Sequence, residues 1–134
     1  MLQKWAQKRY AKILDEYWSA IEPFMQPGEQ RLAYAPAMSL TSDLPPREGY
    51  LYLSSTTLYW GAYLGQGRHV RPAYAEKHRS CPGARLSREG VLQVASSTEE
   101  GCFAAFTAAR GTQRAFNELC DLYASTLRIA RTAR

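Results

Sequence analysis

Residues Gly49–Gly65, GYLYLSSTTLYWGAYLG, carry five large aromatics (Tyr50, Tyr52, Tyr59, Trp60, Tyr63) and no charge. Leu51 and Leu53 alternate with Tyr50 and Tyr52, and Leu58 and Trp60 fall on either side of Tyr59, the two-residue period of β-strands. The SSTT between them reads as a short polar hairpin turn. Neither side of this hairpin is polar. A sheet with one wet face alternates apolar with charged residues, so both faces here are expected to be covered, one by a core and one by a second layer.

Working toward the N-terminus, Ala6, Tyr10, Ile13, Leu14, Tyr17, Trp18 and Ile21 share one helical stripe, so a helix is expected over Leu2–Met25, within a helical unit spanning 1–26. Pro23 bends or ends it, QPGEQ at 26–30 stops it, and its apolar side is the expected cover for the tyrosines. A strand should follow over Arg31–Leu40. Pro36 cannot donate to a ladder, which places that strand at an edge or breaks it there.

Toward the C-terminus, Gly65–Gly83 reads as a long excursion loop, RLSREGVLQVAS as a strand or strand pair, and CFAAFT as its partner. A final helix over 112–132 is capped by Thr112 and buries Phe116, Leu119, Cys120, Tyr123, Leu127 and Ala130. Together these elements give one α+β domain over residues 1–134: a helix, an antiparallel sheet of four to seven strands over 30–108, and a closing amphipathic helix.

The chain of 134 residues has a net charge of +5, and the placement of that charge matters more than its size. Arg68, Arg71, Lys77, Arg79, Arg85 and Arg88 stand against Glu76 alone between Leu64 and Arg88, so this segment accounts for the whole excess. Both histidines, His69 and His78, lie there too. Three cysteines leave at least one unpaired and suit a reducing cytoplasm. The N-terminal residues show no secretory signature, and the uncharged stretch near the hairpin has too many glycines and hydroxyl residues for a membrane helix.

Three motifs resemble the pleckstrin-homology (PH)-like superfold, more closely its bacterial PH and GRAM branches: PGE at 27–29, the Gly-x-Leu-x-Leu-Ser…Leu-x-Trp hairpin of GYLYLSSTTLYW, and VLQVASSTEEGCFAAF followed by a helix led by Phe116. The resemblance runs from about Pro27 to Leu127. It implies a bent antiparallel sandwich or barrel plugged by Phe116, Leu119 and Tyr123, no catalytic residues, and binding of phosphoinositides, peptides or proteins at one rim. Two features depart from it. The first hairpin loop, TSDLPPRE, sets Arg47 against Asp43 and Glu48, where lipid-binding relatives cluster bases, and the long N-terminal helix is additional.

Contacts with a partner or anion are therefore expected from Arg68, His69, Arg71, Lys77, His78, Arg79 and Arg85, whose guanidinium groups suit forked hydrogen bonds. An aromatic interface is expected from Trp5, Tyr50, Tyr52, Tyr59 and Trp60, serving the N-terminal helix, a partner, or a homodimer with exchanged helices. Bases beside Tyr63 and Tyr74 suit single-stranded nucleic acid, but no RNP-type sequence accompanies them, and nucleic acid is not expected. The spacing of His69, His78, Cys81 and Cys102 matches no compact zinc pattern, so no metal or other cofactor is expected. Cys81 with His78 is the one local nucleophile pair, and nothing in the sequence orients it.

The function expected is that of a non-enzymatic adaptor, cytoplasmic or peripheral to a membrane, which binds a protein partner through residues 64–88 and a sheet edge near Pro36. Two alternatives are an anionic-phospholipid binder and a ligand carrier or enzyme with a pocket lined by Tyr34, Tyr52 and Trp60.

Overall fold

The computed structural model describes residues 15–40, 47–61, 72, 74–95 and 103–132. Helix α1 is described over 15–18, and a 3-10 turn at Glu22–Phe24, with Pro23 in it, ends the N-terminal segment. Seven strands follow: β1 (Arg31–Ser39), β2 (Arg47–Ser54), β3 (Thr57–Gly61), β4 (Tyr74–Lys77), β5 (Ala84–Leu86), β6 (Val91–Ala95) and β7 (Phe103–Ala108). Helix α2 (Gln113–Thr132) closes the order. All strand pairs are antiparallel and form one open sheet, β4-β3-β2-β1-β7-β6-β5.

Register explains the double-sided hairpin. Tyr34, Tyr52 and Tyr59 lie in one row across β1, β2 and β3, and the adjacent row is Ala35, Leu51 and Trp60. The second row faces the main core with Leu53, Leu58, Val94 and Phe106, against Phe116, Leu119, Cys120, Tyr123 and Leu127 of α2. The tyrosine row faces the other way, onto Trp18 and Ile21, with Tyr17, Met25 and Tyr50 around it. Tyr17 stacks on Tyr34 at 5.4 Å between ring centroids, and Trp18 meets Tyr52 edge-on at 5.3 Å. Such pairs add about 0.5–1.5 kcal/mol each beyond the area they bury. Trp18 and Ile21 thus cover the tyrosine face as expected, but the described α-helix ends at Trp18 rather than near Met25, and Ala6, Tyr10, Ile13 and Leu14 of the expected stripe lie outside the described residues.

Three expectations are corrected. Trp60 does not belong with Tyr50, Tyr52 and Tyr59: strand alternation turns its indole into the main core, where Nε1 donates to the Ala37 carbonyl at 3.2 Å. A pocket shared by Tyr34, Tyr52 and Trp60 is thereby ruled out, because the sheet separates Trp60 from the two tyrosines. Pro36 is not at an edge, since β1 is central with β2 and β7 on its two sides. The β1–β7 ladder runs only over Ala37–Ser39, however, and its last contact is the Pro36 carbonyl accepting the Ala109 N–H. A strand residue directs its N–H and C=O to the same side, so the N–H that proline lacks is one β7 would have used, and the two strands part there. Finally, the stretch read as an excursion loop contains β4, hydrogen-bonded to β3.

At the start of α2, the Thr112 carbonyl accepts the Phe116 N–H, while its hydroxyl donates to the Ala109 carbonyl instead of serving the helix. The row geometry also depends on Gly49. A Cβ there would lie 2.5 Å from the Gly61 carbonyl oxygen and 2.8 Å from Cζ2 of Trp60. The indole reaches Ala37 by crossing this glycine. Gly49→Ala is expected to destabilise the fold by about 1–3 kcal/mol, as overpacking does. Denaturation should show a lower midpoint, whereas an unchanged midpoint would show that the Gly61 carbonyl and the indole both give way at no cost.

Candidate functional site

Of the basic residues expected at a binding surface, Arg68, His69 and Arg71 lie outside the described residues, as does Trp5. Lys77 ends β4, Arg79 follows it in the turn, Arg85 is central in β5, and Arg88 lies in the β5–β6 turn; all four are exposed. Among the described residues none of the four forms an ion pair, whereas Arg31 and Arg114 do. They mark a positive course from the end of β4 through β5.

His78 is a correction to the expected set. It is 2% exposed and turned inward, with Nε2 2.8 Å from the Ser54 carbonyl. A carbonyl only accepts, so Nε2 carries the proton and Nδ1 presents a lone pair. Burial pushes the imidazole below its usual range, against the opposing hydrogen bond to Ser54 and the charge of Glu29. The side chain is a structural clasp, and Lys77 and Arg79 on either side of it supply the surface charge.

What His78 clasps is the β2–β3 turn. Ser55 and Thr56 connect the strands, and no described non-glycine residue has a positive φ, so the turn lacks the mirror-image backbone that two-residue hairpins favour. The Ser54 side chain substitutes for it. Its Oγ accepts the N–H groups of Thr56 at 3.2 Å and Thr57 at 3.0 Å. Gln30 exchanges main-chain and hydroxyl bonds with Ser55, and the His78 N–H donates to the Thr56 carbonyl. Glu29 of the PGE turn completes the knot by accepting the Tyr59 hydroxyl at 2.6 Å. Partial burial works to raise the Glu29 carboxyl, but hydrogen bonds from Ser54, Tyr59, Gln26 and Thr56 hold it below the usual carboxylate range. Tyr59, in turn, is pushed up to about 12 by burial and by its bond to Glu29.

Cys81 and His78 do not form a nucleophile pair. The Cys81 thiol is directed at the carbonyls of Gly83 and Ala95 and at the Tyr123 hydroxyl, and it is buried. Cys120 is pushed up to about 12 by burial and the neighbouring Asp121 carboxylate, which leaves it a thiol at neutral pH. Among the described residues no group of three or more His, Cys, Asp or Glu side chains is arranged to hold a metal ion. No described helix is long and apolar enough to cross a membrane.

The feature that the sequence reading missed is the β5 edge. Ser87 N–H donates to Val91 and Ala95 N–H donates to Gly83, so by alternation Gly83, Arg85 and Ser87 direct their main-chain groups at β6. Those of Ala84 and Leu86 point outward, where no further strand lies among the described residues. Beside this edge, α2 supplies Cys120, Asp121 and Ala124 to a cleft of about 100 Å³ that Ala84, Arg85 and Leu86 line from the other side. Leu86 is 40% exposed there. The sequence marked a strand or strand pair here, but nothing local in it shows that β5 forms the edge of the sheet.

No family model and no curated protein sequence matches the chain. Solved structures do resemble it. The DH/PH fragment of PDZRHOGEF in complex with human RhoA aligns over 87% of this chain and 38% of that one, with a TM-score of 0.63 at 12% identity. The chain spans roughly a third of the length of such DH/PH structures. The pleckstrin homology domain of the human KIAA0053 protein aligns over 77% of this chain and 93% of its own, with a TM-score of 0.54 at 10% identity. The hSac2 domain from human phosphoinositide phosphatase Sac2 aligns over 95% of this chain and 83% of its own, with a TM-score of 0.51 at 12% identity. The chain has a PH-like α+β fold.

The clasp makes a pH signature. His78 has a folded-state pKa below its unfolded value of 6.5, so the unfolded chain takes the proton first and stability falls as pH drops below about 6.5. Glu29 acts lower: its folded value lies below 4.5, and its contribution, present above 4.5, is lost as pH falls through the folded value. The denaturation midpoint is expected to decline between pH 7.5 and 5. His78→Gln, which keeps a donor for Ser54, should flatten that decline; an unaltered slope would assign it to another group.

Proposed function

We propose that this chain is a non-enzymatic binding module that takes an extended, acidic segment of a protein partner along the β5 edge. The observation that carries this reading is the outward main chain of Ala84 and Leu86, set between Arg85 and Arg88 and beside the cleft with α2. An added strand would use those main-chain groups for affinity and place alternate side chains in the cleft and over Arg85. Pairing between two copies of the edge centred on Arg85 would oppose like charges, which disfavours self-association and favours a partner with a carboxylate there. Lys77 and Arg79 extend the same preference toward β4. Asp121, on the α2 wall, narrows the acidic contact to the strand side of the cleft.

The alternative occupant of a positive course is an anionic membrane. The four described cations follow a turn, a strand and a second turn, which suits a linear segment, and the tyrosines that a membrane interface would use are packed under α1.

The test compares the capped peptide Glu-Val-Glu-Val-Glu, its lysine counterpart, single-stranded RNA, and vesicles containing phosphatidylserine or phosphoinositide. The acidic peptide should bind and shift the amide resonances of Ala84 and Leu86. Arg85→Glu should weaken it by roughly tenfold or more, the value of one charge-assisted hydrogen bond. Leu86→Pro removes an outward N–H without touching the β6 ladder, so it should retain the fold and lose the peptide. Vesicle binding abolished by Arg79→Glu and Arg85→Glu, with no peptide binding, would replace this reading with the lipid one.

A further inference from the structure

Helix α2 has a second flank, which faces the place where β1 and β7 part. Past Pro36 the β1–β7 ladder ends, and a groove of about 610 Å³ lies between the Arg31–Tyr34 stretch of β1, α1 and the outer side of α2. This size is within the range of ligand sites and suits a few side chains of a peptide. Two of the large hydrophobic residues that stay exposed meet in it, Leu32 from β1 and Leu122 from α2, each 39% exposed. Trp18 and Leu119 contribute to its lining.

The polar groups of the groove define the charge it accepts. Arg31 is its one cation, and that guanidinium is already engaged by Asp15 at 2.5 Å and by Glu22, while lying over the Trp18 ring at 5.8 Å. An anionic ligand would have to displace two carboxylates to reach it. Glu118, on the opposite wall, is 69% exposed, and its ion-pair partner among the described residues is the surface-exposed Arg114 one turn away, a weak pair because solvent screens it. Asp15 is equally exposed. The groove therefore has apolar walls, a saturated cation and, since Asp15 is held by Arg31, one carboxylate open to a ligand, Glu118.

We infer that this groove is a second docking site, for a short apolar peptide segment bearing a lysine or arginine, whose apolar side chain seats between Leu32 and Leu122 while its cation reaches Glu118. The site is separate from the β5 edge and has the opposite charge preference, so α2 serves one groove on each flank. The inference stands whether or not the β5 edge binds an acidic strand.

The experiment titrates the full chain with the capped peptide Ala-Leu-Lys-Leu-Ala and with its glutamate counterpart, followed by amide chemical shifts. The lysine peptide should shift Leu32, Ala115 and Leu122 and leave Ala84 and Leu86 in place; the glutamate peptide should bind at least fivefold more weakly. Glu118→Lys and, separately, Leu122→Glu replace exposed side chains, and each should weaken the lysine peptide at least fivefold without shifting the melting temperature. Leu86→Pro should leave it unaffected. Absence of binding at millimolar peptide, shifts confined to other surfaces, or full affinity in both groove variants would overturn the assignment.

Discussion

Tyr52 faces Tyr59, and Leu51 faces Trp60, because two residues separate β2 from β3 and the Ser54 hydroxyl gathers both N–H groups at the end of that turn. A slip of β3 by one residue would turn Tyr59 into the main core and Leu58 and Trp60 out of it. The turn is held from three directions at once: by Gln30 at the start of β1, by Glu29 through Tyr59, and by His78 at the end of β4. The knot couples both layers of the molecule, since it fixes which face α1 covers and which face α2 plugs.

Pro36 sets the other constraint. It lies opposite Tyr50 in β2, where its missing N–H costs nothing, and it ends the ladder toward β7. The sheet consequently bends about β1, with four strands on one limb and three on the other, and α2 packs into the angle. Phe116, Leu119, Tyr123 and Leu127 fill the inside of that angle. The flanks of the helix are left beside β5 on one side and the parted half of β1 on the other. Both candidate docking grooves follow from one helix spanning a sheet that does not close.

Much of this was legible in the sequence because its cause is local. Period-two alternation separated Leu51 and Leu53 from Tyr50 and Tyr52, and helical spacing picked out Phe116, Leu119, Cys120, Tyr123 and Leu127 as one buried stripe. The misses have long-range causes. Pro36 read as an edge residue because a central proline is tolerated only when its neighbour strand departs there, and nothing near Pro36 announces β7. Strand β4 read as loop because its inward residues are Tyr74, Glu76 and His78, a polar set with no apolar alternation. His78 read as a surface base for the same reason: its partner, Ser54, is distant in sequence.

That polar inward face also bears on how the open sheet is protected at its ends. Among the described residues, the buried Tyr74 hydroxyl, Glu76 Oε1 and His78 Nδ1 have no hydrogen-bond partner, and all three belong to one end of the sheet. An edge strand whose inward side chains are titratable cannot be shifted or copied by a neighbouring chain without burying those groups again, so it resists sheet-to-sheet growth. At the other end β5 is three residues long and carries Arg85, which guards it by charge and brevity rather than by burial. The two protections differ in what they permit. The buried polar side chains of β4 oppose a slipped register there, whereas a single exposed arginine at β5 disfavours strands that bring a matching positive charge.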